Sequence, residues 1–189
     1  MKKIRPIFLL SFLIFLLSVP YEIFATNNKK VLDLERSREL LLDGYIQSDF
    51  DNHQLAIEYY TEAIRLNPNN FYAFLNRAFS KHEINDIAGA WDDLNIALEI
   101  DPNNGIAFYN RAIVNWKLGH QLSAIKDYSK AINKNIKLKN AYANRGILKS
   151  NIGDAEGACS DWKKAIETKV KEQLYGLKKT VYQIFLKIF

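Results

Sequence analysis

Apolar positions along the chain fall into paired helical stripes. Phe74 and Ala78 lie four residues apart, on one face of a helix; Ala90, Leu94 and Ala97 follow at spacings of four and three on a second. The same arrangement holds Phe108 and Ala112 with Ala124, Tyr128 and Ala131, and Tyr142 and Gly146 with Ala158, Trp162 and Ala165. It also holds Leu40 and Gly44 with Ala56, Tyr60 and Ala63. Polar pairs divide each set in its middle: Asp51-Asn52, Asn85-Asp86, Gly119-His120 and Gly153-Asp154. Asn and Gly tolerate the left-handed backbone that ends a helix, so each set reads as two helices and a turn. Small residues opposite large ones let the two helices approach closely.

The sets recur at one fixed period, the step from Ala56 to Ala90, Ala124 and Ala158, without a slip. That defines four units: 37–70, 71–104, 105–138 and 139–172. Asn67-Pro68-Asn69-Asn70 and Asp101-Pro102-Asn103-Asn104 close the first two, because proline cannot continue a helix. Ile136 and Val170 take the proline's place in the last two. A short leader into the first repeat (26–36) precedes the units, and a further helical stretch (173–189) follows them.

The large residue, the Gly or Ala four later, the Ala–aromatic–Ala series and the closing Pro resemble the tetratricopeptide repeat over all four units. Sel1-like units, the nearest alternative, usually run slightly longer than the period found here. The resemblance implies an all-α, right-handed superhelical solenoid of four helix-turn-helix repeats plus a C-terminal helix. It also implies a concave groove, lined by the first helix of each unit, that binds a peptide, helix or protein assembly. Family members that clamp a partner's C-terminal carboxylate use Lys and Arg in this groove. Here the corresponding places hold Leu75, Asn76, Phe79, Ile106, Asn110, Ile113, Asn140 and Asn144, which excludes that clamp.

Candidate binding residues follow from the same comparison. Asn76, Asn110 and Asn144 recur on the repeat period at a groove-facing place. An amide that donates and accepts suits an extended peptide backbone. It equally suits a tie between neighbouring helices, and the period serves either role. Tyr72, Tyr109 and Trp116 are candidate aromatic anchors, while Phe79 and Ile113 read as core. Arg77, Arg111 and Arg145 are each followed, at one constant separation, by an aspartate on the second helix: Asp93, Asp127 and Asp161. The first unit lacks both members, with Asp43 and Tyr59 in their places, so the arginines are expected to tie the two helices of a unit together.

Other chemistry is sparse. His53, His82 and His120 lie near turns of different units with no second ligand at helical spacing, and no phosphate loop or catalytic motif occurs. No enzyme activity, metal or cofactor is expected. Cys159, the single cysteine, stands where Ile57, Trp91 and Ile125 stand, and is expected to be buried.

The ends bear on location. Lys2, Lys3 and Arg5 precede the uncharged run Ile7–Val19, and Ala25 offers a small residue for cleavage. This is the layout of a secretory signal peptide over 1–25, or of an uncleaved anchor, and it predicts a periplasmic or secreted protein. Residues 1–25 hold Lys2, Lys3, Arg5 and Glu22; without them the net charge falls from +5 to about +3, too little for a nucleic-acid face. Leu174, Leu177, Val181, Ile184, Phe185 and Ile188 keep helical spacing in a tail apolar over much of its circumference. That predicts a cap that also meets a partner, or peripheral membrane contact.

Overall fold

Helices begin and end here where a side chain or a backbone twist stops them. The computed structural model describes residues 21–136 and 138–188, so most of the expected signal segment lies outside the described residues. Eight helices run through them: α1 (Tyr21–Asp49), α2 (His53–Leu66), α3 (Phe71–Glu83), α4 (Ile87–Ile100), α5 (Gly105–Lys117), α6 (Gln121–Asn133), α7 (Leu138–Asn151) and α8 (Ala155–Ile188). Asp51, Asn85, Gly119 and Gly153 all adopt positive φ, between 59° and 86°, and turn the chain from the first helix of each unit to the second. Side chains cap several of the N-termini. Asn70 accepts from the Ala73 amide, Asp86 from Gly89, and Asn104 from Ile106 and Ala107. Each such cap contributes about 1 kcal/mol.

Where Pro68 and Pro102 close the first two units, the third ends on Asn135 at φ 57°. Its left-handed backbone replaces the missing proline. Residues 167–172 (Glu-Thr-Lys-Val-Lys-Glu) hold no Pro, Gly or Asn, and α8 runs on unbroken. The tail from 173 is therefore one helix with the end of the fourth unit. At the other end, α1 includes the leader into the first repeat and begins at Tyr21.

Consecutive helices pack in antiparallel pairs, giving the expected all-α right-handed solenoid. Alternate helices α1 and α3, and α3 and α5, also meet, so the first helices of the units line the inner side of the curve. The alanines of the second helices, Ala56, Ala63, Ala90, Ala97, Ala124 and Ala131, are fully buried. Tyr60, Leu94 and Tyr128 fill the space between them. Burial pushes the Tyr60 phenol up to about 12 and raises Tyr128 as well, so both stay neutral in the core.

The arginines form the expected pairs. Arg77 meets Asp93 at 2.9 and 2.7 Å, Arg111 meets Asp127 at 2.8 and 3.0 Å, and Arg145 meets Asp161 at 2.8 and 2.7 Å. Each guanidinium also donates back to the preceding unit, to Thr61 (3.0 Å), Asn95 (2.8 Å) and Ser129 (2.8 Å). Lys81 and Lys149 join Asp93 and Asp161 at 2.9 and 3.0 Å; Asn115 does so for Asp127. The ladder thus locks helices within a unit and units to one another.

Candidate functional site

Two cavities open on the inner side of the curve. One lies between α3 and α5, is about 200 Å³, and is lined mainly by Ala78, Phe79, His82, Tyr109, Asn110 and Ile113. Its floor is apolar because the small Ala78 leaves Leu94 within reach of the opening. The other lies between α1 and α3 and is about 310 Å³, with Tyr45, Ser48, Asp49, His53, Asn76 and Glu83 among its lining. Phe79 lines both and is 48% exposed, a large apolar ring left half in water.

Polar groups differ between the two. His82 is held by Glu83, with Nδ1 at 3.0 Å from Oε1, while its buried Nε2 has no partner among the described residues. A buried nitrogen without a partner carries a desolvation cost that an incoming donor or acceptor removes. The lining of the α1–α3 cavity carries the carboxylates of Asp49, Asp51 and Glu83, the last shared with the α3–α5 cavity, and no lysine or arginine. It favours positive charge.

The sequence candidates separate on inspection. Asn76 and Asn110 line the two cavities, half-buried. Asn144 instead donates to the buried Tyr128 hydroxyl at 3.1 Å and ties α7 to α6. Tyr72 is exposed, resting edge-on against Phe71 with ring centroids 5.2 Å apart. Tyr109 is 8% exposed and meets Tyr128 edge-to-face at 5.7 Å, so it forms cavity wall and core at once. Trp116 is partly buried and packs on the core, as Ile113 does.

Two expectations change. Phe79, expected in the core, is the exposed ring between the cavities, because its neighbour on the inner face is open groove and not a packed helix. Cys159, expected to be buried, is exposed: its place on the second helix faces outward, as does that of the exposed Trp91 two units earlier.

Sequence reasoning missed the acidic residues Asp49, Asp51 and Glu83. They sit at helix ends and turns, where carboxylates ordinarily face solvent, and only the curve of the solenoid brings them together. Among the described residues, no group of three His, Cys, Asp or Glu stands close enough to hold a metal ion.

Comparison with known proteins agrees with this architecture. The tetratricopeptide repeat family model matches residues 44–70. No curated protein matches the chain. Among solved structures it is similar to MamA, with 25% identity and a TM-score of 0.69 over 74% of this chain and 82% of that one. A tetratricopeptide repeat protein from Parabacteroides merdae matches at 24% identity and a TM-score of 0.65, over 72% of this chain and 55% of that one. The first such domain of Spaghetti (RPAP3), bound to the HSP90 peptide SRMEEVD, matches at 20% identity and a TM-score of 0.60, over 64% of this chain and 98% of that one.

Proposed function

We propose that this chain, a tetratricopeptide-repeat protein, is a non-catalytic scaffold that holds a segment of another protein along the inner face of its solenoid. The observation that carries this reading is Phe79, half exposed between two adjoining cavities. An aromatic so placed contributes more to a partner than to the fold. The α3–α5 cavity fits an apolar side chain; the carboxylates of the α1–α3 cavity fit a basic one next to it. Asn76 and Asn110 line the same two cavities, within reach of a bound backbone. The peptide in the RPAP3 structure ends in Glu-Glu-Val-Asp, and the present groove has the opposite charge preference.

Export through the leader belongs to the same reading, and the scaffold then works outside the cytoplasm. A second reading, an assembly factor at a membrane, draws on the exposed Ile166, Val170 and Leu174 along α8. No helix of the described residues is long and apolar enough to cross a membrane, so that contact would be peripheral or made by the leader. Sequencing the N-terminus of the protein from soluble and membrane fractions separates the two.

An immobilised peptide library of varied charge tests the main reading. Retention of basic-apolar peptides, lost in Phe79→Ala and weakened in Glu83→Lys, is expected. Preference for acidic peptides, or retention indifferent to Phe79, overturns it.

A further inference from the structure

Arrays of stacked repeats ordinarily end in polar caps, and among the described residues neither end of this one does. Leu98 and Ile132 occupy the same place in successive second helices and are each 8% exposed, covered by the next unit. The same place in the last unit is Ile166, 65% exposed. At the other end, Ser80, Val114 and Leu148 share a place on successive first helices that the preceding unit buries almost completely. Its counterpart in the first unit is Ile46, 40% exposed. Each end therefore shows the apolar surface that an interior joint covers.

The polar part of the joint points to what covers it. In every interior joint an arginine reaches back to an acceptor on the second helix of the preceding unit: Thr61, Asn95 or Ser129. Two places in this series have no partner unit. The next acceptor place holds Lys163, and the arginine place of the first unit holds Asp43. Neither makes an ion pair among the described residues. Lys163 repels an arginine arriving as in the interior joints, but it attracts the carboxylate that this chain carries at its other end.

The directions of the end helices fit the same joint. The second helix of one unit and the first helix of the next run antiparallel. α1 extends before its unit opens at 37, and α8 extends past the close of its unit at 172. In a joint between copies both overhangs project from the same side and run alongside each other.

We propose that a second copy of this chain docks head to tail, its first unit continuing the superhelix from the fourth unit of its neighbour, with Asp43 facing Lys163. Glu39 stands where Ala73, Ala107 and Ala141 are fully buried. The joint is therefore wider than an interior one at that point, and it opens and closes with concentration. A contact between two different surfaces does not close on itself as a two-fold dimer does, so growth continues beyond two copies.

Sedimentation equilibrium of the purified chain tests this. The average mass should rise with concentration past that of a dimer. Asp43→Lys and Lys163→Glu should each weaken association at least about tenfold, because each replaces attraction by like charge. Mixed in equal amounts, the two variants should associate again, since the reversed first unit of one then meets the reversed fourth unit of the other. Ile166→Lys should stop growth independently of the charge pair. A constant monomer mass, a plateau at the dimer, or single reversals that leave association unchanged overturn the proposal.

Discussion

Arg111 and Asp127 are joined by two parallel hydrogen bonds, of 2.8 and 3.0 Å, while the remaining arm of the guanidinium holds Asn95 of the unit before at 2.8 Å. The carboxylate is almost fully buried and the arginine mostly so. Arg111→Ala leaves Asp127 with Asn115 alone and should cost about 3 kcal/mol. Arg111→Lys should recover little of it, since an ammonium cannot hold both carboxylate oxygens and Asn95 in one plane. Thermal denaturation reads both. An unchanged melting temperature in Arg111→Ala removes the structural role assigned to the ladder.

Acid should unfold the chain in part through Asp161. Burial pushes its carboxyl up, but hydrogen bonds from Arg145 and Lys149 and their charges outweigh this and hold it below its ordinary value. A depressed folded value means that the pair's stabilisation is present above the unfolded-chain value, about 4, and is lost as pH falls through the folded one. Asp161→Asn should lower stability at neutral pH and flatten the acid limb of a stability–pH profile. An acid limb as steep as the parent's contradicts this.

The two asparagines Asn110 and Asn144 should part company on substitution. Asn144→Ala strips the buried Tyr128 hydroxyl of its hydrogen-bond donor and should cost about 1–2 kcal/mol. In the unit before, the place of Tyr128 is taken by Leu94, which offers Asn110 no such partner. Asn110→Ala should leave the melting curve nearly in place and affect peptide retention instead. Equal melting losses in the two variants contradict the division of roles.

Gly146 is held by Trp162: a Cβ at this glycine would lie 2.5 Å from the indole Nε1 and 2.7 Å from Cδ1. Gly146→Ala should therefore destabilise by about 1–3 kcal/mol. Adding Trp162→Leu copies the Ala78–Leu94 combination of the second unit and should restore part of the loss. A double variant no better than the single one contradicts the size matching.

Much of this is legible in the sequence because the repeat multiplies each signal. Four alanines in register fix helix faces that one alanine leaves open, and the joint absence of Arg and Asp from the first unit announces their pairing. The arginines' second bonds, to Thr61, Asn95 and Ser129, are not legible, since three unlike residues share only the ability to accept. Phe79 and Cys159 mislead for a common reason. Periodicity says which residues share a place, but the curvature of the stack decides whether that place faces a neighbour or water. Asn135 shows the same limit at a turn: its left-handed backbone ends the unit where the repeat pattern calls for a proline.

The proposed partner segment lies on the inner face, at Phe79. A photo-crosslinking side chain placed at residue 79, compared with one at the strongly exposed Leu122 on a second helix, tests it most directly in cells producing the protein. A discrete crosslinked partner is expected from position 79, lost when Glu83→Lys is added, and none from position 122. Crosslinks from 122 and none from 79 would contradict it.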